Sequence, residues 1–413
     1  MTHDGKDATS GGGMRRSSAI VLLGSVGGFA ISFILTPVLS RLFTPEAFGL
    51  SSAIVALASV FVGVSTLRLE IIAQREPLAR RSLALLWEAL WIDLICAVTI
   101  TVMSIPLILI TNSSWIWLVV GPLVFVASWQ LIGAAQLTRT GRYGSLATAN
   151  FLQGAGLGGS QAILGLLWPN AGSLLAGYFI ARLAWLPALF GLRSKERVDS
   201  SKTVWKHHRN HAVQAGTSAL VNSLSTQALP LLITVLYGQV AVGLVAMAIR
   251  VLVSPLGVIA QAVSASAIGH VGSFIRVKDY AAARNSIRRA VRDQAVLGLV
   301  PCLLMGIGGP FLATIVLGED WDGVGPIISA MALGAWAQFV GSPFPQILNL
   351  TGQSKFLLRW DLIRLFLLFA AVTIPASLGF SLIVSLSCFS VAQLATYWLV
   401  VKTVDSSLAR TAE

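Results

Sequence analysis

The chain has 413 residues, 55% of them hydrophobic and 11% charged, with a formal net charge of +12. Its mean hydropathy of +0.78 excludes an ordinary soluble domain, which needs a far more polar surface. The apolar runs are continuous, which excludes a β-barrel of alternating strands. The basic residues bracket those runs and form no nucleic-acid-binding motif, so nucleic acid is not expected as a partner.

In chain order, residues 1–17 are polar and glycine-rich and are expected to form a disordered cytoplasmic N-terminus. No small-residue cleavage site follows the first apolar block, which reads as a retained span rather than a signal peptide. A span needs roughly 20 apolar residues, because the hydrocarbon core is about 30 Å thick. By that measure the first half holds predicted spans at 18–40, 48–67, 82–110, 115–137, 145–167 and 171–192. A basic cytoplasmic linker, 193–212, follows. The second half holds 213–236, 240–263, 294–317, 324–348, 356–378 and 380–401, before a cytoplasmic tail at 402–413.

Almost all of the 29 Lys and Arg residues lie at the termini or in every second connecting loop. Short loops rich in Lys and Arg stay inside. Both termini are therefore expected in the cytoplasm of a multi-pass protein of the bacterial inner membrane, in contact with its anionic lipids. The stretch 274–293 sets Phe274, Tyr280, Ile287 and Val291 among arginines. It reads as a surface helix at the headgroups or as a solvated helical loop. His207 and His211 are spaced for one helix face, but no Glu or Cys joins them, and a solvated loop is the expectation. Cys96, Cys302 and Cys388 fall in predicted spans without metal or disulfide spacing, and no cofactor is expected.

The halves echo each other. Pro37 in the first span precedes Phe48-Gly49-Leu50, and Pro230 in the seventh precedes Val242-Gly243-Leu244. Thr140-Gly141-Arg142 after span four matches Thr351-Gly352-Gln353 after span ten. An even number of spans per unit makes the repeat parallel. The expected fold is an all-α polytopic membrane protein, with twelve transmembrane helices as two parallel six-helix repeats around a central cleft. Pro37 and Pro230 should bend spans one and seven, and are candidate gating residues, although proline is also common in membrane helices.

The basic residues that break the pattern carry the functional reading. Arg182 and Arg250 lie near the middle of spans six and eight. An Arg there costs at least about 2.5–3.5 kcal/mol on insertion scales. Each should face a wet cavity, an anionic ligand or a carboxylate. Arg364 lies less deep, three residues after Asp361, a spacing that allows a local ion pair. Arg359 can snorkel, Arg68 reads as interfacial and Arg41 caps span one on the far side. Asp93 lies mid-span, and is either a partner for such an Arg or a protonatable site for ion coupling. Arginine suits pyrophosphate because its planar fork binds bidentately. The candidate substrate-binding set is thus Arg182, Arg250, Arg364 and Arg41.

At Arg41-Leu42-Phe43-Thr44-Pro45-Glu46-Ala47-Phe48-Gly49-Leu50 the chain resembles the Wzx-type flippases of O-antigen and exopolysaccharide synthesis, in the MOP superfamily that includes the MATE exporters. Leu67-Arg68-Leu69-Glu70-Ile71-Ile72 is similar to the end of that family's second span. Val316-Leu317-Gly318-Glu319-Asp320-Trp321 with Gly325-Pro326-Ile327 is similar to its turn between spans nine and ten. The resemblance implies a flippase for undecaprenyl-pyrophosphate-linked oligosaccharide, driven by a proton or sodium gradient, with polysaccharide polymerase machinery as a candidate partner. It does not fix the sugar. Two alternatives stay open: a MATE-type exporter, which would want acidic rather than basic cavity residues, and a membrane polymerase or ligase, which would want a sizeable outer loop. No nucleotide-binding or nucleophile motif is present, so no enzymatic activity is expected.

Overall fold

The computed structural model describes residues 7–111, 114–192, 201–276, 279–344 and 354–412, and every regular element among them is helical. The helices are α1 (Asp7–Ile34), α2 (Thr36–Leu42), α3 (Pro45–Ser65), α4 (Leu69–Arg75), α5 (Ala79–Thr111), α6 (Val120–Arg139), α7 (Tyr143–Leu167), α8 (Ala171–Arg182) and α9 (Leu186–Phe190). They continue as α10 (Ser201–Ala248), α11 (Ser254–Arg276), α12 (Tyr280–Leu317), α13 (Val324–Gly341), α14 (Ser354–Ser377) and α15 (Leu382–Ala412).

Ten stretches are long and apolar enough to cross a membrane. Two details bring the path to the twelve predicted crossings. The stretch Ala215–Gln261 runs for 47 residues, about twice what a bilayer needs. It breaks at Gly238, whose φ of 84° and ψ of −177° belong to no helix. Only glycine adopts such a conformation freely. The other detail is α7, which is helical over 25 residues but is diluted by glycine, alanine and serine and so falls outside the apolar set.

Several helices overrun the predicted segments. Residues 7–17, expected to be disordered, continue α1. Residues 201–212 of the linker open α10, and 402–412 extend α15. A nucleated helix gains one hydrogen bond for each further residue it fixes, so it propagates outward from its apolar core. The linker residues 193–200 lie outside the described residues, as do the side chains of His207 and His211 and residues 351–353 of the second loop echo.

Within the arginine-rich stretch 274–293, residues 280–293 are helical, and their apolar face packs on protein. They form a continuous part of α12. Ala283 and Ile287 are fully buried against Val400 and Val404 of α15, with Phe274 and Val291 packed beside them. Arg284 and Arg288 each place two nitrogens on the Asp405 carboxylate at 2.8–3.0 Å. The apolar face that suggested lipid is covered by protein.

The chain divides into two compact units, 1–43 with 54–223, and 44–53 with 224–413. In the first, α1 packs along α7, and Asn150 donates to Ser25 at 3.0 Å across the seam. A second core gathers Leu69, Leu85, Leu86 and Ile132, all fully buried, from α4, α5 and α6. In the second unit, the first turn of α3 crosses residues 239–248. A Cβ on Gly49 would sit 1.9 Å from the Gln239 carbonyl oxygen, and one on Gly243 would sit 1.9 Å from the Pro45 carbonyl oxygen. These are the two glycines of the internal repeat. The echoed motifs thus pack against each other, backbone to backbone, as small residues allow between membrane helices.

Candidate functional site

The first unit carries Arg182, Arg41, Pro37 and Asp93. Arg182 ends α8 where the helix breaks through a 3₁₀ turn, Leu183–Trp185, into α9. A cation at a helix C-terminus faces the negative end of its dipole. Its Nη2 donates to the Tyr178 hydroxyl at 2.6 Å, its Nη1 donates to Gln130 Oε1, and the guanidinium lies 4.8 Å from the Tyr178 ring centroid. All these partners are neutral. The charge is held in place without being cancelled.

Arg41 is exposed, and its Nη1 donates to the Pro37 carbonyl at 2.7 Å. Pro37 stands at the start of α2, directly after α1 ends. The helical bonding runs through Leu35, which accepts from Leu39 at 3.0 Å, so span one changes at Pro37 without being severed, and Arg41 lies in the last turn of the short piece α2. In the second unit, Pro230 lies inside α10.

Asp93 is fully buried in α5. Neither carboxylate oxygen has a partner at hydrogen-bonding geometry, and among the described residues no ion pair joins it to an arginine. Its neighbours are the Ser65 and Ser128 hydroxyls, from the ends of α3 and the middle of α6, and Glu70 of α4. Of the two roles the sequence left open for Asp93, partner to a deep arginine is not what the packing shows. Beside it, Thr66 donates to Glu70 Oε2 at 2.7 Å, and Arg68 Nη1 approaches Glu70 Oε1 at 3.7 Å. Leu67 and Arg68 hold φ of 49° and 57°, a left-handed conformation that costs a side-chain-bearing residue of order 1 kcal/mol or more. That strained corner separates α3 from α4.

The second unit carries Arg250 and Arg364. Arg250 sits in a π-helical turn, Ile249–Val253, between α10 and α11. π turns insert one extra residue and concentrate at functional sites. The guanidinium lies 5.9 Å from the centroid of Phe48, whose ring meets Trp321 edge-on at 5.5 Å. Downstream, α11 and α13 enclose a cavity of about 300 Å³ with Gln261, Ser264, Gln338 and Ser342 among its lining residues.

Arg364 is only 6% exposed. Its guanidinium lies 5.3 Å from the centroids of both Trp360 and Tyr397, and Nε has no partner. The ion pair that the i, i+3 spacing allows with Asp361 does not form; the aromatic faces hold the guanidinium instead. Gln393 Oε1, on the helix that carries Tyr397, is also buried without a partner. Arg359 is exposed, as snorkelling requires. Arg250 and Arg364 contact different aromatic residues, so the structure does not join them in one cluster. The hydroxyls around Asp93 and the Trp360–Tyr397 cage have no sequence motif; their one signal was polar and aromatic residues recurring at depth in apolar spans.

Ten helices long and apolar enough to cross a membrane make this a multi-pass membrane protein, and its fold is that of MOP superfamily transporters. The lipid II flippase MurJ in an inward closed conformation is similar over 94% of this chain and 90% of its own, at 14% identity and a TM-score of 0.67. A Vibrio cholerae MATE transporter is similar over 98% of both chains, at 15% identity and a TM-score of 0.63. A MOP superfamily transporter from Pyrococcus furiosus, described as having a binding pocket of reverse polarity, is similar over 97% of this chain and 96% of its own, at 13% identity and a TM-score of 0.58. No curated protein matches the chain. Residues 38–326 match the family described as polysaccharide biosynthesis protein, and the chain belongs to that family.

Proposed function

We propose that the protein flips undecaprenyl-pyrophosphate-linked oligosaccharide across the bacterial inner membrane for O-antigen or exopolysaccharide synthesis. Its two six-helix halves, 18–192 and 213–401, would alternate access with both termini in the cytoplasm, driven by an ion gradient through Asp93. Polysaccharide polymerase machinery would take the product. The observation that carries the reading is Arg364: a buried guanidinium that makes no salt bridge among the described residues and packs beside the Trp360 and Tyr397 rings, in a member of a polysaccharide biosynthesis family. Asp361 acts on this buried cation without a direct salt bridge, and the unpartnered Nε–H is open to an anion. Arg182, anchored by neutral groups, supports the same chemistry, and Arg250 and Arg41 complete the candidate set. Pro37 and the Pro230 region would act as the bends. A MATE-type exporter of cationic compounds is disfavoured by these charges.

The test replaces Arg182, Arg250 and Arg364 singly with Ala in the native host. Surface polysaccharide should be lost while the protein keeps its normal membrane abundance. Undiminished polysaccharide in all three variants overturns the proposal.

A further inference from the structure

The apolar face of residues 280–293 is covered by α15, but the arginine flank beside it is not. Arg284 and Arg288 each place Nε and Nη2 on the Asp405 carboxylate, Arg284 at 2.8 Å and Arg288 at 2.9 and 3.0 Å. This side-on pairing leaves Nη1 of Arg288 outside the pair, on a side chain that is 58% exposed. Lys402 stands one turn before Asp405 on α15. Its Nζ lies 3.8 Å from the centroid of the Trp398 ring, and among the described residues it forms no salt bridge. Three cations thus share one carboxylate, and the cluster keeps an excess of positive charge.

The cluster lies at a membrane boundary. Along α12 the exposed side chains change from Arg288, Arg292 and Asp293 to Val296, Leu297 and Val300, each more than half exposed. A continuous row of exposed apolar residues belongs in hydrocarbon. On α15, Trp398 is exposed with Lys402 one turn beyond it, a pair suited to the headgroup level, where an amphipathic ring and a snorkelling ammonium both find their place. Helical spacing sets Arg288, Leu299 and Leu303 in one stripe of α12, and Asp405, Lys402 and Trp398 in one stripe of α15. The two stripes meet where Arg288 reaches Asp405. Fixed cations therefore sit at the end of an exposed apolar flank.

We propose that Arg284, Arg288 and Lys402, held by Asp405, form a binding site for the phosphate of an anionic phospholipid, whose acyl chains lie along Leu299 and Leu303 of α12 and Trp398 of α15. The guanidinium and ammonium N–H groups suit phosphate oxygens. Asp405 is a positioning residue. It orders two long side chains before the lipid arrives, so less freedom is lost on binding. A soluble anion would use the charges and leave the apolar flank unused, whereas a phospholipid uses both. Arg292 contributes less, because the neighbouring Asp293 lies 3.3 Å from its Nε.

Tryptophan quenching tests this on the full chain in phosphatidylcholine nanodiscs doped with brominated phosphatidylglycerol or brominated phosphatidylcholine. Bromine on the acyl chains quenches tryptophans in contact, and the difference between wild type and Trp398→Phe isolates Trp398. At low salt, phosphatidylglycerol should be preferred at Trp398 by about fivefold for each of Arg288 and Lys402, and Arg288→Gln and Lys402→Gln should each remove one such factor. Quenching by brominated phosphatidylcholine, which needs no charge, is the folding control for every variant. Asp405→Asn separates a built site from diffuse attraction. It makes the protein more positive, so diffuse attraction would strengthen, whereas the proposed site loses its positioning and the preference should fall. Equal quenching by the two lipids in wild type, or a preference that rises in Asp405→Asn, overturns the proposal. Displacement by undecaprenyl phosphate at a lower mole fraction than by unbrominated phosphatidylglycerol would assign the cluster to a transported lipid and overturn it as well. None of these readouts depends on what the protein transports.

Discussion

The Asp93 pocket of the first unit and the Arg364 cage of the second set the same problem with opposite signs. Each buries an ionisable group, 0% and 6% exposed, and among the described residues neither makes a direct salt bridge, although Asp361 acts on Arg364 from one turn away. Where this chain wants an ion pair it builds one fully, as Arg284 and Arg288 on Asp405 show. The surroundings differ in kind. Asp93 has the Ser65 and Ser128 hydroxyls beside it. Arg364 packs beside two aromatic rings, which stabilise the cation by about 1–2 kcal/mol without occupying its N–H groups. A carboxylate can be made neutral and a guanidinium cannot, so the first pocket can be filled by a proton and the second only by an anion.

Neutral replacements break the comparison most sharply. Arg364→Met should reduce polysaccharide export by roughly 10- to 150-fold, the equivalent of about 1.5–3 kcal/mol for hydrogen bonds to a charged group. Its Tm should stay the same or rise, because apolar replacement of a buried charge is often stabilising. A Tm that falls together with export would make the cage structural. Gly243→Ala should act in the reverse way, lowering stability by about 1–3 kcal/mol by forcing a Cβ against the Pro45 carbonyl; thermal unfolding in detergent reads this. Tyr178→Phe removes one partner of Arg182. It should weaken export several-fold, about 1 kcal/mol, seen as a higher lipid-linked substrate level at half-maximal flipping in proteoliposomes. The smallest effect belongs to Asp405→Asn. Arg288 is 58% exposed there, so the loss should not exceed about 1 kcal/mol and should shrink with added salt.

The spans, their order and the deep charges were legible in the sequence, because each depends on hydropathy or on position along one helix. What stayed hidden depends on which helix faces which. Asp93 could be placed at mid-depth, but Ser65 and Ser128 come from two other helices, and no spacing rule joins them. Asp361 and Arg364 had the right spacing for an ion pair, yet Tyr397, from a different helix, competes for the guanidinium. The amphipathic face of 281–293 read as lipid-facing because periodicity shows that a face is apolar without showing what covers it. The repeat was legible as two echoed glycines, and their mutual crossing was not.

The π turn at Ile249–Val253 holds one residue in reserve. Relaxing it to α-helical hydrogen bonding would advance everything downstream by about 1.5 Å and turn it by about 100°. Gln261 and Ser264 would then rotate away from Gln338 and Ser342. Span eight thus carries the equivalent of a one-tooth ratchet beside Arg250, able to redraw the polar lining of its cavity without melting the helix or moving its ends far.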